Sequence, residues 1–500
     1  MPSSTRSISG TASLRQPGAV LLVSCYELGH QPIGIAQPLG FLRAAGFPAA
    51  GLDISVEDFD AARVRQARVV GVCVPMHTAL RLGVRVAEAV RAANPQCHIC
   101  FYGLYASLNA GYLLHHVADS VIGGEYEIPL VKLVEALDGS GSIGAIEGVS
   151  TPERIVPPLL RRMPATVPEP SREGLPALER YAHLEQNGER RVAGYVEASR
   201  GCLHRCLHCP IVPVYDGRFF LIPEGSVLED IRRQIQGGAT HITFGDPDFL
   251  NGPGHSLSIV RALHAEFSHV TFDFTAKIEH LLKRRTLFPE LAERGCLFVV
   301  SAAESFSDAV LARLHKGHTR AEIATALEIL RSAGIALRPS LVAFTPWTTM
   351  DDYLEMFEIV ESLDLIDAVD PVQYSVRLLI PPGSALLSRS DVERFIVSVD
   401  QAGFQYRWKH PDGRMDRLHE AITAAVEEAA GTCEDPSATF DRLRALSHGV
   451  AERPLPASRG GAARARERRR PPRLTEPWFC CAEPTAQQFR PLPAKGLAEV

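Results

Sequence analysis

Short apolar runs alternate with stretches of helical periodicity between residues 19 and 138. Continuous apolar runs of this length are typical of strands that are buried on both faces of a parallel sheet. We therefore expect an α/β domain with a doubly wound sheet, in which ligands bind beyond the carboxyl ends of the strands. The predicted strands lie at 19–24, 49–54, 67–75, 98–102 and 120–122, with a closing helix at 127–137.

A second series of strands and helices begins at residue 195. Six strand-helix units in succession predict an open α/β barrel, with its chemistry at the carboxyl ends of the strands. The predicted strands lie at 195–198, 241–244, 270–274, 297–301, 337–343 and 372–379.

Changes in composition predict the remaining boundaries. Polar segments rich in Pro, Gly or Arg rarely form a packed core, so we expect them to be linkers or tails. The predicted divisions are a disordered amino terminus (1–18), the sheet domain (19–138), a linker (139–190), the barrel (191–395), a helical extension (396–451) and a flexible tail (452–500).

Composition and charge indicate a soluble cytoplasmic protein. The net charge is −6, and no apolar window is long enough to form a secretory signal or a membrane span. Seven arginines between Arg459 and Arg473 indicate a solvated linker, with a nucleic-acid tether as the alternative. Eleven scattered cysteines do not suggest a secreted disulfide framework.

Three cysteines follow the first predicted barrel strand with the spacing C-x3-C-x2-C, at Cys202, Cys206 and Cys209. A [4Fe–4S] cluster normally takes four thiolates, so three would leave one iron open to an exogenous ligand. The alternative is a zinc site with His204 or His208 as the fourth ligand. Zinc sites usually combine two separated ligand pairs, and no second pair follows nearby.

The segment from Glu197 to Cys209 resembles the cluster loop of the radical SAM superfamily, although His208 stands where an aromatic residue is common. The resemblance implies that the three cysteines hold a [4Fe–4S] cluster, that S-adenosylmethionine binds the open iron, and that a flavodoxin- or ferredoxin-type protein supplies electrons. It also implies a partial (β/α)6 barrel. The implied cofactor-binding residues, at later strand ends, are Gly245, Asp246, Ser301, Glu304 and Arg338. A helix-capping loop and an ordinary ion pair are the alternatives for Asp246 and Arg338.

The first domain resembles the flavodoxin-like cobalamin-binding domain of one branch of that superfamily. The resemblance is carried by the segments 74–78, 103–105 and 119–125. No Asp-x-His-x-x-Gly element is present, so a histidine ligand to cobalt is not indicated. Whether cobalamin binds stays open, and a purely structural sheet domain is the alternative.

Adjacent cysteines, Cys480 and Cys481, stand in the tail within the string CCAEP. Vicinal thiolates are soft donors that suit thiophilic ions such as As(III). The string resembles a small CUAEP/CCAEP-tail group of radical SAM proteins, related to the arsinothricin-pathway enzyme. An incidental cysteine pair is the alternative.

Together these features predict a radical SAM transferase that cleaves S-adenosylmethionine reductively and forms a carbon–heteroatom bond. The resemblance suggests transfer of a 3-amino-3-carboxypropyl group to a soft acceptor such as As(III), with Cys480 and Cys481 as catalytic residues. One alternative is a cobalamin-dependent methyltransferase acting on a small molecule. The other is a non-catalytic protein that binds a metal or metalloid.

Overall fold

The computed structural model describes residues 13–139, 141–457 and 470–476. The first domain is a six-stranded sheet of order β2-β1-β3-β4-β5-β6, parallel except for the last strand. This is the flavodoxin-like order, which confirms the predicted fold. The elements are β1 (Val20–Ser24), α1 (Ile33–Ala44), β2 (Ala50–Asp53), α2 (Ala61–Gln66), β3 (Val69–Cys73), α3 (His77–Ala93), β4 (His98–Tyr102), α4 (Leu104–Leu108), α5 (Ala110–His116), β5 (Ser120–Ile122), α6 (Glu127–Asp138) and β6 (Val149–Ser150).

Both faces of this sheet are covered by apolar side chains, as the uninterrupted apolar strands predict. The predicted disordered terminus and the predicted linker also contribute residues to this domain. Leu14, in the predicted disordered terminus, is fully buried, and its amide donates a hydrogen bond to Asp138 Oδ1 at 2.5 Å. Strand β6 comes from the predicted linker and pairs with β5.

The second domain is a curled seven-stranded sheet of order β14-β13-β12-β11-β8-β7-β17. Its five central barrel strands run parallel, and helices cover one face. The elements up to β14 are β7 (His183–Gln186), β8 (Glu189–Val196), β9 (Ser199–Gly201), α7 (Val212–Tyr215), β10 (Phe219–Leu221), α8 (Glu224–Gln236), β11 (His241–Phe244), α9 (Pro253–Glu266), β12 (Thr271–Thr275), α10 (Ile278–Lys283), α11 (Phe288–Glu293), β13 (Cys296–Glu304), α12 (Asp308–Arg313), α13 (Arg320–Ser332) and β14 (Ala336–Leu341).

The barrel strands alternate between an apolar and a polar face. Ile242 and Phe244 belong to the core beneath the helices. His241 and Thr243 take the opposite, concave face, where both contact the Asp273 carboxylate at 2.9 and 2.7 Å. The concave face therefore carries polar side chains on β11 and β12, beside an apolar patch that includes Phe298 and Val300 of β13.

The prediction of a sixth barrel strand at 372–379 is wrong. Residues Pro371–Tyr374 form a short 3-10 helix, and a single parallel bridge joins Phe344 to Arg377. An apolar run buried against helices satisfies a strand pattern without forming a ladder. The chain continues through α14 (Met350–Ser362), α15 (Ser390–Glu393), the antiparallel pair β15 (Ile396–Asp400) and β16 (Gln405–Trp408), and helices α16 (Gly413–Thr432) and α17 (Pro436–Val450).

Part of the predicted flexible tail is ordered, as strand β17 (Arg473–Leu474), which pairs antiparallel with β7. The Pro472 carbonyl lies 3.5 Å from the Arg338 guanidinium on β14, and Arg473 pairs with Glu185 on β7. Residues 472–474 therefore contact both edges of the curled sheet and close the gap between them.

The first domain packs over the barrel through buried ionic contacts. Arg172 donates hydrogen bonds to Asp230 on α8 and to the Gln31 side chain, at 2.7 and 2.8 Å. His30 stacks on Tyr195 with ring centroids 4.4 Å apart. The loop after β1 is thus fixed against the first barrel strand. Among the described residues, none of the helices has the length and apolar character needed to span a membrane.

Candidate functional site

The three motif cysteines lie on one irregular loop between β9 and α7, at the carboxyl end of the first barrel strand. Cys206 is buried, Cys202 and Cys209 are partly exposed, and all three are free thiols. The loop has few hydrogen bonds of its own; one joins the Cys209 amide to the Cys206 carbonyl at 3.1 Å. Contacts with other strands must therefore hold its shape.

The arrangement of the thiols fits a cluster better than a zinc ion. Within the described residues, the one set of three His, Cys, Asp or Glu side chains with ligand atoms within 4.8 Å of one another is His204, Asp248 and His280. At least two of the three thiols therefore lie more than 4.8 Å apart, farther than the roughly 3.8 Å that tetrahedral zinc with 2.3 Å bonds would require. Three thiols on one loop suit the larger [4Fe–4S] cluster, with one iron left open.

Both histidines considered as zinc ligands have other partners. His208 Nε2 lies 3.1 Å from Glu304 Oε1. His204 Nδ1 lies 3.3 Å from the Lys277 ammonium, and His204 Nε2 faces Asp248 Oδ2 at 3.5 Å. Glu304 and Lys277 thus each contact one nitrogen of these two rings.

Glu304, predicted from the sequence, lies beside the cysteine loop. It ends β13 with a φ of 65°, a backbone conformation that is rare for a residue other than glycine. Its carboxylate contacts His208 and the buried Lys316 ammonium, the latter at 3.2 Å. Burial alone would raise the pKa of Glu304, but Lys316 and His208 hold it at about 2, so the group is ionised.

Gly245 and Asp246, also predicted, follow β11 and contact the start of the cysteine loop. A Cβ at Gly245 would lie 2.1 Å from the Tyr195 hydroxyl, so only glycine fits. The buried Asp246 carboxylate accepts hydrogen bonds from the Ala198 amide at 2.9 Å and from the Ser199 hydroxyl. Burial raises its pKa to about 7 despite these hydrogen bonds.

Asp248 was not singled out from the sequence, yet it holds the middle of the loop. Its carboxylate accepts from His280 Nδ1 at 2.8 Å and from the Leu250 and Lys277 amides, and it faces His204. The two histidines keep its pKa below the usual range although it is buried. In the sequence, the only sign that Asp248 belongs to the site was its place two residues after Asp246. A sequence pattern does not predict which way a side chain in a loop points.

Two of the other predicted residues, Ser301 and Arg338, have different surroundings. Ser301 is fully buried, and its alternation with Val299 and Ala303 places it on the helix-covered side of β13. Arg338 lines a small cleft near β17 and pairs with Asp370 at 2.7 Å. Cys480 and Cys481 lie outside the described residues, so the roles of all four stay predictions.

An ionic cluster around Arg200 joins the first domain to the cysteine loop. Its guanidinium contacts Glu127 and Glu125 of the first domain at 2.6 and 3.4 Å, and Glu197 of the barrel at 3.0 Å. Because three carboxylates share one guanidinium, the cluster carries excess negative charge. Burial raises the pKa of Glu125 to about 7, while Arg200 opposes that rise.

The first domain offers cobalamin a crevice but no evident histidine ligand. Pro75 and Met76, after β3, are only partly buried, at the position where a flavodoxin-like sheet binds ligands. His77 Nε2 lies 2.8 Å from the Gly403 carbonyl, and His30 is stacked on Tyr195. Whether a corrinoid binds beside Pro75 and Met76 stays a prediction.

Comparison with known proteins identifies the second domain. Residues 196–360 match the model of the radical SAM superfamily, so this part of the chain is a radical SAM domain. A tRNA-2-methylthio-N(6)-dimethylallyladenosine synthase of Desulfosudis oleivorans is 29% identical over 41% of this chain and 46% of its own length. The hopanoid C-3 methylase of Methylococcus capsulatus is 25% identical over 66% of this chain and 63% of its own length. The chain thus spans less than two thirds of either relative.

Solved structures share the two-domain fold. The cobalamin-dependent S-adenosylmethionine radical enzyme OxsB, with aqua-cobalamin and S-adenosylmethionine bound, matches with a TM-score of 0.69 and 16% identity, over 87% of this chain and 72% of its own. TsrM from Kitasatospora setae, with cobalamin and a [4Fe–4S] cluster bound, matches with a TM-score of 0.55 and 17% identity, over 70% and 71%. These likenesses confirm the fold.

Replacing Cys202, Cys206 or Cys209 singly by alanine should abolish cluster assembly. After anaerobic reconstitution the unaltered protein should hold about four irons per chain, and each variant far fewer, because two thiolates cannot retain the cluster. Iron analysis and visible absorbance measure this. Cys296→Ala, a buried thiol on β13, is the matched control and should keep its iron. One equivalent of zinc in place of iron would contradict the assignment.

The protein without cofactors should lose about 2 kcal/mol of unfolding free energy between pH 6.5 and 8. Burial and the neighbouring Glu197 raise the pKa of Glu27 to about 8, and those of Asp246 and Glu125 are about 7. The unfolded chain has already released these protons in that window, so rising pH favours unfolding. Buried histidines with lowered pKa values, such as His30, His98 and His318, oppose this loss near pH 6.5, where the unfolded chain still holds part of their protons, and their opposition fades as the pH approaches 8.

Denaturant titration at several pH values measures the slope of unfolding free energy against pH. Glu27→Gln should flatten it, because the amide has no proton to release. Glu173→Gln, at a side chain that is 90% exposed, should leave it unchanged. A free energy that rises across the window would contradict the expectation.

Proposed function

We propose that this radical SAM enzyme cleaves S-adenosylmethionine reductively at the barrel mouth and transfers a carbon fragment of it to a small-molecule acceptor. The observation that carries this proposal is the loop of three free thiols, held at the strand ends by Asp246, Asp248 and Glu304. When bound, a [4Fe–4S] cluster supplies the electron that breaks a carbon–sulfur bond. Cytoplasmic location and a flavodoxin- or ferredoxin-type electron donor follow from the same proposal.

The residues of the chain hold and shield the reacting molecules. Cys202, Cys206 and Cys209 would ligate three irons, leaving the fourth for the amino and carboxylate groups of S-adenosylmethionine. Gly245 has no side chain, so its backbone can lie directly against the Tyr195 ring, and Asp246 is the next residue in the chain. The first domain covers the barrel mouth and limits the access of water, which would otherwise quench a carbon radical.

The relatives favour methyl transfer as the reaction class. One is named a hopanoid C-3 methylase and another a tRNA-2-methylthio-N(6)-dimethylallyladenosine synthase, and solved structures of OxsB and TsrM contain cobalamin. If the crevice near Pro75 and Met76 binds cobalamin, that group would supply the methyl carrier. Transfer of an aminocarboxypropyl group to As(III) is not supported by these relatives and rests on the tail alone, as does membership of the CCAEP-tail group.

The position of β17 supports a role for the tail cysteines in either reaction. Strand β17 is antiparallel to β7, and β7 is antiparallel to β8, so β17 runs toward the barrel mouth. Glu476 accepts a hydrogen bond from the Tyr26 hydroxyl of the first domain at 2.8 Å. Cys480 follows four residues later, a distance of at most about 14 Å along an extended chain. The tail therefore starts within reach of the mouth, and we propose that Cys480 and Cys481 bind the acceptor there.

Reduction of the reconstituted enzyme with S-adenosylmethionine should yield products that identify the cleaved bond. Methyl transfer predicts S-adenosylhomocysteine, with 5′-deoxyadenosine if a radical activates the acceptor. Aminocarboxypropyl transfer predicts methylthioadenosine, formed only when an acceptor such as arsenite is present. Mass spectrometry of anaerobic reactions, with and without cobalamin and arsenite, measures both. An enzyme with its full iron content that cleaves no S-adenosylmethionine would contradict the proposal and favour a non-catalytic binding protein.

Double substitution of Cys480 and Cys481 by serine should reduce turnover with the acceptor at least tenfold while leaving iron content unchanged, because the weaker oxygen donors would not hold a soft acceptor. Cys433→Ser, at an exposed cysteine on the end of α16, is the control and should keep full turnover. Undiminished turnover of the double variant would exclude the tail cysteines from the reaction.

A further inference from the structure

The loop that follows β11 supports the first half of the cysteine loop through a second side chain, Asn251. This residue is 6% exposed. Its Oδ1 accepts a hydrogen bond from the Leu203 amide at 3.3 Å. Leu203 directly follows Cys202, so Asn251 fixes the backbone next to the first thiol of the motif.

The other end of the Asn251 side chain is its amide nitrogen, next to the segment that carries Cys202. This nitrogen is buried and forms no hydrogen bond of ordinary geometry with any described residue. A buried NH2 group that lacks an ordinary partner is costly, which implies that it has an acceptor in the working protein.

We propose that Asn251 is a positioning residue that donates a hydrogen bond to the sulfur of Cys202 when that sulfur ligates iron. The inference rests on the cluster proposed above and goes beyond it, because it assigns control of the cluster to a residue that is not a ligand. Hydrogen bonds to cluster sulfurs stabilise the added negative charge of the reduced state. Asn251 should therefore make the cluster easier to reduce.

The neighbouring Asp248 group is a support for the same loop rather than a separate metal site. The Lys277 ammonium lies 3.3 Å from His204 Nδ1, and a positive charge there would repel a bound cation. Asp248 already accepts hydrogen bonds from His280 and two backbone amides. Asp248 also faces His204 Nε2 at 3.5 Å, while Asn251 accepts a hydrogen bond from the Leu203 amide.

Asn251→Asp separates the two ends of the side chain. The carboxylate keeps an oxygen for the Leu203 amide but removes the NH2 donor and adds a negative charge beside the sulfur. The reconstituted variant should hold as much iron as the unaltered enzyme, with a more negative reduction potential and a changed EPR spectrum in the reduced state. Asn251→Ala removes the donor without adding charge, so its potential should shift in the same direction by a smaller amount.

The control is Asn94→Asp, at an amide that donates to the Val64 and Ala67 carbonyls in the first domain. It makes the same chemical change away from the barrel and should leave the potential unaltered. Potentials and EPR spectra of both Asn251 variants equal to those of the unaltered enzyme would overturn the inference. Failure of the unaltered enzyme to bind iron would instead overturn the cluster assignment, so the two failures are distinguishable.

Discussion

The shape of the cysteine loop depends on three buried carboxylates, because the loop has few hydrogen bonds of its own. Asp246 binds its first residues, Asp248 faces its middle and Glu304 contacts its last part. A buried carboxylate is stable only if it is paired, hydrogen-bonded or protonated. The molecule uses all three solutions, with Lys316 beside Glu304, histidines beside Asp248, and hydrogen bonds with a raised pKa at Asp246. The geometry of the thiols depends on this arrangement.

The same constraint connects the two domains. Arg200 begins the cysteine loop and also lies against Glu125 and Glu127, which follow the last parallel strand of the first domain. A movement of the first domain would expose an unbalanced buried charge, so it is resisted. Buried ion pairs therefore join the first domain to the residues that precede Cys202.

The sequence allowed much of this to be predicted, and the exceptions have physical causes. The parallel sheet of the first domain follows from its apolar runs and the three cysteines stand out by their spacing, whereas the flavodoxin-like order, Asp246 and Glu304 were implied by the resemblance to the radical SAM superfamily. Asp248 and Asn251 were missed because the direction of a loop side chain depends on packing. The strand expected at 372–379 was wrong, because burial against helices produces the same apolar run. Strand β17 was missed, since two residues among prolines and arginines carry no periodicity.

The pairing of β17 with β7 also affects how the chain folds. The Thr475 hydroxyl bonds to a partner 292 residues away, at His183. Contacts of such long sequence separation carry a high loop-closure entropy and form late. Until they form, β7 has an unpaired edge that can recruit strands from other molecules. A chain lacking β17 would therefore be prone to aggregate during synthesis, through the unpaired edge of β7.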